Sequence, residues 1–247
     1  MAENILRESI DRLQQALDFF EQKIGRPEFI QEKGRERFRY RNPSPEIFMT
    51  LKAVRVVSTY NACAYLIPVG YGQEVCALIR TAFEFLNDIH FIAEGVQKGT
   101  MTPQQQEMLD RFFEEDLLLP ELLLNRHSKK PTVPRKKVYA HVARNLTPDN
   151  PDRTQKLIRL LEEAYSGYIH GAYPHVMELY VGGDWRFHTG GMPGTPRKFE
   201  SLRALVRSVH QALNVFARVS ALFANEELFN ALLATRKILE VNKLYAG

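Results

Sequence analysis

At 247 residues, 45% apolar and 25% charged, the chain has the composition of an ordinary globular protein with enough length to bury a sizeable core. A net charge of +4 is too mild to drive nucleic-acid binding by itself, so such a role has to rest on local clusters. The two cysteines, Cys63 and Cys76, lack C-x-x-C spacing; they argue against a disulfide framework or a zinc site and fit buried free thiols.

The first residues carry Glu3, Arg7, Glu8 and Asp11 where a signal peptide needs an apolar run. Pro68 and Pro120 break the most hydrophobic stretches, and none reaches the ~18 apolar residues of a membrane span. The expectation is a soluble, cytoplasmic protein with no membrane partner.

In chain order, Leu6, Ile10, Leu13, Leu17, Phe20 and Ile24 alternate spacings of four and three, an apolar seam on a first helix that Gly25 and Pro27 end. The seam marked by Leu6, Leu13 and Phe20 is the expected homodimer contact. Residues 28–43 are polar and basic without a clear period and read as a connection. Ser44-Pro45 then has the chemistry of an N-cap and first helical position for a second helix to about Leu66. From Val56 to Gln73 there is no charge, which predicts that this second helix is the central one.

Pro68, Gly70 and Gly72 mark the turn into a third helix over about 73–94, and Thr102-Pro103 opens a fourth that runs to the leucine-rich stretch around Pro120. Residues 122–148 hold seven Lys or Arg and no acidic residue, so 122–150 reads as a basic connector with one short helix. A fifth long helix begins near Pro151 and is ended or kinked by Pro174. A glycine-turned hairpin is expected near 178–189, a Gly/Pro loop over 190–196, and two closing helices over 197–224 and 226–244 with Asn225 as the cap between them. The sum is an all-α bundle of about seven helices with one small β-hairpin, a single helical domain over 1–247.

Two segments carry the candidate chemistry. On the third helix Arg80, Glu84 and Asp88 are spaced four apart, opposite the apolar face of Val75, Ile79, Ala82, Leu86, Ile89 and Ala93. The stripe is either a solvated ion-pair face or, because Phe85, Phe91 and Ile92 crowd the same side, a buried one that needs partners. On the fifth helix Ser166, His170 and Tyr173 share a face, with Gly167 and Gly171 beside it.

Glycines four apart invite the close approach of another helix, and the third is the expected neighbour. In that arrangement Glu84 or Asp88 orients the imidazole. The catalytic set is His170 as general acid/base with Ser166 and Glu84, and Arg80, Asp88 and Tyr165 form the ligand-binding set, with Arg80 clamping an anion. The bland reading is a back-bonded serine, a satisfied histidine and a structural cluster.

Ser166 lies in no G-x-S-x-G elbow, and there is no Walker loop or G-x-G-x-x-G. His170, His175 and His188 have no metal-ligand spacing, so neither metal nor cofactor is expected. Two basic clusters stand out. One is Lys33, Arg35, Arg37, Arg39 and Arg41 with Phe38 and Tyr40. The other is Arg126, Lys129, Lys130, Arg135, Lys136, Lys137 and Arg144. Arg135, Lys136 and Lys137 are the candidate nucleic-acid contacts.

Arg80-Thr81-Ala82-Phe83-Glu84 together with Tyr165-Ser166-x-x-x-His170-Gly171 resembles an uncharacterised family of bacterial helical proteins that pairs an Arg-x-x-x-Glu helix with a tyrosine- and serine-bearing segment ending in histidine. The likeness covers the central half of the chain and implies that Arg80, Glu84, Ser166 and His170 are shared polar positions. In outline the chain is also similar to HEPN domains, helical bundles that often dimerise and include metal-independent ribonucleases with an Arg-x4–6-His motif. Arg203/His210 and Arg135/His141 have that spacing, but Ala204 and Lys136 stand where a polar residue usually follows the arginine. Two functions therefore stand open: a polar cleft acting on RNA or another phosphate-containing ligand, or a non-catalytic helical scaffold whose polar cluster fixes packing.

Overall fold

Local chemistry sets the helix ends. The structure, a computed structural model, describes residues 2–32, 35–113, 133–181, 183 and 185–242. Helix α1 (Ala2–Ile24) stops at Gly25. Helix α2 (Pro45–Leu66) starts on Ser44, whose hydroxyl accepts the Ile47 N–H at 3.2 Å, with Pro45 in the first turn. Helix α3 spans Gly72–Gln97. Helix α4 (Pro103–Phe113) opens on a reciprocal capping box: Gln105 N–H donates to the Thr102 hydroxyl at 3.3 Å and Thr102 N–H to Gln105 Oε1 at 2.8 Å. The leucine-rich continuation toward Pro120 lies outside the described residues.

Helix α5 (Arg135–Leu146) is the short helix of the basic segment, but it is not an exposed connector. Val138, Tyr139, Val142 and Ala143 bury one of its faces against α3 and α6, because its apolar residues recur at helical spacing between the lysines. Helix α6 (Pro151–His170) is capped by Asn150 and ended by Gly171 in the left-handed conformation, φ 59°, which glycine adopts without steric cost. Pro174 therefore does not end α6; it sits in the first turn of the short α7 (Tyr173–Met177). Helices α8 (Arg197–Leu222) and α9 (Glu226–Val241) follow, with Asn225 accepting the Leu228 N–H at 2.9 Å between them.

The chain is all-α, as expected, with two small antiparallel ribbons among the described residues. Strands β3 (Tyr180–Val181) and β4 (Arg186–Phe187) form the expected hairpin. The stretch read as a connection contains the other: β1 (Glu28–Glu32) pairs with β2 (Arg35–Arg39), setting Phe29 opposite Phe38 with ring centroids 5.3 Å apart. Both rings are exposed, and on the other face Ile30 and Arg37 are only half-buried, so the hairpin rests largely on cross-strand pairs and no hydrophobic alternation reveals it.

Packing corrects two further expectations. The α1 seam is internal: Leu6, Leu13 and Phe20 are buried against α2, α8 and α9, with the Phe20 ring 5.6 Å from Phe216 and 5.4 Å from Phe223. It offers no homodimer surface. The central helix is α3, which touches α2, α4, α5, α6 and α8, whereas the charge-free stretch of α2 from Val56 onward exposes Ser58, Asn61 and Tyr65. Small uncharged polar residues face water as readily as charged ones, so absence of charge does not measure burial.

One apolar cluster runs from α1 through α2 and α3 to α8 and α9. Replacing Leu13 with Ala is expected to cost roughly 3–5 kcal/mol in denaturant unfolding while leaving the sedimenting mass unchanged. Loss of self-association without loss of stability would return the seam to an intermolecular role.

Candidate functional site

The polar stripe of α3 is buried, and it is partnered from three directions. Arg80 Nη2 lies 2.8 Å from Glu84 Oε1 and 2.6 Å from Glu162 Oε1 of α6, and its Nε donates to Ser166 Oγ at 3.4 Å. Arg135, the first residue of α5, reaches Glu84 Oε2 at 3.4 Å and pairs closely with Asp88. Asp88 Oδ2 meets Lys52 Nζ of α2 at 3.1 Å. Lys52 in turn lies 4.8 Å from the Phe85 ring centroid, 5.3 Å from Phe112 and 5.5 Å from Phe48.

Read across the molecule, the order is Glu162, Arg80, Glu84, Arg135, Asp88, Lys52. Signs alternate at every step and the formal sum is zero. The side chains of Arg80 and Asp88 are 7% and 4% exposed, while Glu84 and Arg135 reach about a third, 30% and 35%. The ladder is therefore dry at Arg80 and Asp88 and wetted between them, at Glu84 and Arg135.

Tyr139 lies beside it, fully buried, with a hydroxyl that meets no partner at full hydrogen-bond geometry among the described residues. Burial, and then the charge of Glu162, pushes its phenol well above the ordinary range. Arg80 Nη1 is likewise buried without a partner among the described residues.

Arg80 and Ser166 thus meet, and Glu84 and Asp88 sit in the same ladder. His170 does not join them. It stands exposed at the carboxyl end of α6, its ring makes no hydrogen bond among the described residues, and the carboxylates expected to orient it are held by Arg80, Arg135 and Lys52. Ser166 is back-bonded to the Glu162 carbonyl at 2.7 Å.

The glycine pair does not admit α3 either. A Cβ on Gly167 would fall 2.2 Å from the His175 ring of α7, and Gly171 is the helix cap. Tyr165 points away from the ladder into a cavity of about 180 Å³ between α3, α6 and α8, lined also by Cys76, Tyr168, Glu178, Arg197 and Ser201. There the Tyr168 hydroxyl donates to Glu178 at 3.3 Å and Arg197 pairs with Glu178 at 2.8 Å. Cys63 and Cys76 are buried free thiols, both pushed up to about 12 by burial.

Of the basic residues, Arg135 is consumed by the ladder, whereas Lys136 and Lys137 are exposed and carry no ion pair among the described residues. Lys33, Arg126, Lys129 and Lys130 lie outside the described residues. Both Arg-x4–6-His spacings have their histidines engaged by glutamates: His210 with Glu240 at 2.8 Å, and His141 with Glu94. Among the described residues no group of three His, Cys, Asp or Glu is arranged to hold a metal ion, and no helix is long and apolar enough to cross a membrane.

Lys52 and Glu162 of the ladder, and Tyr139 beside it, are the residues that the sequence reading missed. Glu162 had a signal: it lies four residues before Ser166, one turn away on the same face. Lys52 and Tyr139 come from other helices, and nothing local points to them.

A second polar cluster lies further along α3. Arg218 of α8 donates to His90 Nε2 at 2.9 Å and to Gln97 Oε1 at 2.6 Å, while Glu94 is paired with Lys98 and His141. Burial, reinforced by Arg218, holds His90 down at about 3, so its imidazole is neutral and accepts the guanidinium N–H. The unfolded chain protonates His90 near 6.5 and the folded chain only near 3. Stability contributed at neutral pH is therefore lost as pH falls through that window, at about 1.4 kcal/mol per pH unit. The expectation is that wild type minus His90→Gln, compared by urea unfolding from pH 7 to pH 4, shows this slope; parallel curves would refute it.

No protein-family model matches the chain, nor does any curated protein or solved structure. Its function is read from the geometry.

Proposed function

We propose that the chain is a non-catalytic helical interaction protein whose alternating charge ladder clamps α5 and α6 onto α3. The observation that carries this reading is the closure of the ladder. Each of its three cations is already matched by a carboxylate, the formal sum is zero, and the imidazole that acid–base chemistry needs lies outside it. A guanidinium that clamps a substrate anion needs a face left open toward the ligand; Arg80 Nη2 is shared between Glu84 and Glu162, and Nη1, which has no partner among the described residues, is buried away from solvent.

The clamp is needed because α6 has little else to hold it. Ile158 is its one buried residue among the twenty of the helix. Breaking a buried ion pair from one side strands the other charge, which costs about 3–5 kcal/mol. Arg80→Met should therefore unfold at lower denaturant by an amount of that size. Adding Glu162→Gln should restore part of the loss, because the stranded carboxylate goes with it. His170→Ala should leave the unfolding midpoint where it is. An Arg80→Met protein as stable as wild type that has lost binding or turnover of a phosphate-bearing ligand would sink the clamp and restore the cleft.

A second reading is favoured by one observation. Exposed Lys136 and Lys137 on α5 stand beside a groove toward α6 lined by Lys136, Lys156 and Arg159 and also by Asp152 and Glu163, an edge with a net excess of one positive charge that can meet the phosphates of RNA or a smaller ligand. Under this reading Lys136→Glu/Lys137→Glu abolishes salt-dependent RNA retention in a filter-binding assay. Retention unchanged by the pair removes this edge from the account.

A further inference from the structure

Helix α6 turns a mixed face inward, with Ile158 buried and Tyr165 packed on the core, and leaves its leucines outside. The residues it turns toward α3 and α5 include Gln155, Glu162 and Ser166, whereas Leu157, Leu160 and Leu161 are 51%, 50% and 49% exposed, with Ala164 exposed beside them. At 100° per residue these four side chains form one stripe on the side away from α3. A helix that is amphipathic in the usual sense would place that stripe on the core. Here the charge ladder takes the inner face, and the leucines are left as an apolar surface rimmed by charge, the signature of an association surface.

The distribution of charge around the stripe identifies what fits it. Lys156 and Glu163 lie seven residues apart on one flank, bracketing Leu160. Both are exposed, and Glu163 makes only a distant pair with Arg159 at 3.7 Å. Two copies of α6 packed antiparallel about a two-fold axis near Leu160 bring Lys156 of one copy opposite the partner's Glu163 and Glu163 opposite the partner's Lys156. Leu157 then faces the partner's Ala164, and Leu160 the partner's Leu161. An isologous contact requires a patch complementary to itself, and this helix has one both in shape, large against small, and in sign. A basic or acidic target helix would satisfy only half of the flank.

We infer that α6 is a homodimerisation helix, pairing antiparallel with a second copy of this chain through Leu157, Leu160, Leu161 and Ala164. The inference rests on the reading of the chain as an interaction protein and adds its partner. Three leucines and an alanine fall short of the roughly 800 Å² per partner of a standard interface. The dimer is therefore reversible, with dissociation in the micromolar range.

The test is sedimentation velocity on the full chain across about 1–100 µM, a span chosen to bracket that range. The expected result is a concentration-dependent shift from monomer to dimer mass. Leu161→Glu, at an exposed site that leaves folding intact, should weaken association at least about tenfold by burying an unpaired charge. Lys156→Glu or Glu163→Lys alone should also weaken it, by setting like charges opposite each other, and the charge-swapped double variant should restore it.

A chain monomeric at every concentration overturns the proposal. So does a dimer indifferent to Leu161→Glu, or a double variant no better than its parents. A monomer in which cysteine introduced by Leu161→Cys resists alkylation assigns the stripe to another segment of the chain, and overturns the dimer equally. Failure of the clamp is read separately, as unchanged unfolding of Arg80→Met, so the two ideas fall independently.

Discussion

The fold depends on six charges arranged so that no one of them is alone. Moving a carboxylate or guanidinium out of water costs several kcal/mol even after relaxation. Arg80 and Asp88 are both nearly removed from solvent. Such burial is tolerable only if each charge meets its opposite at hydrogen-bond range on more than one side. The sequence Glu162, Arg80, Glu84, Arg135, Asp88, Lys52 achieves this by alternation: each interior member has an opposite charge before and after it. The two ends are satisfied differently, Lys52 by aromatic faces and Glu162 by partial exposure.

A ladder of this kind sets position more than it sets stability. Hydrophobic burial is non-directional, and a helix held by it slides or rotates at small cost. Ion pairs between a guanidinium and a carboxylate fix distance and register. Helix α6 buries one apolar residue, so its place against α3 is specified by Glu162 and Ser166 on Arg80, and α5 is specified by Arg135 at its first turn. Helix α5 is tied again one and a half turns later, where His141 meets Glu94 and its ring packs edge-on against Phe91 at 4.7 Å. Two polar anchors on one twelve-residue helix leave it no alternative register on α3.

The elements of this arrangement were legible in the sequence, and their pairing was not. The four-residue spacing of Arg80, Glu84 and Asp88 belongs to one helix and is visible locally, as are the caps Ser44 and Asn225, the helix start at Pro151 and the stop at Gly25. What a side chain meets across the bundle depends on the rotation of two helices about their axes, and no local pattern encodes that. Arg135 looked like a phosphate contact because its neighbours Lys136 and Lys137 are basic. In the fold the three diverge, the arginine into the ladder and the lysines into solvent. His170 looked like a member of the site because it lies one turn beyond Ser166, but α6 ends there and its last turn runs past the carboxylates of α3. The α1 seam looked intermolecular because a heptad-like pattern does not say whether its partner is on the same chain. The Phe29–Phe38 hairpin was missed because its two aromatic rings face water and its other face is only half-buried, so no apolar alternation marks it.

Such misses share a cause, and α6 shows it most clearly. Its periodicity announces an amphipathic helix, and the ordinary inference is that the apolar side faces inward. That inference assumes the core has only apolar surface to offer. The outward-facing side of α3 at this point is a row of buried charges, and a leucine face laid over Arg80 and Glu84 would strand them. The polar side of α6 is therefore the side that lowers the free energy of contact, and the leucines are displaced outward as a consequence. Once the charges on α3 are buried, the orientation of the neighbouring helix follows from them. So does the presence of an apolar stripe on the surface of a chain whose composition alone gives no reason to expect one.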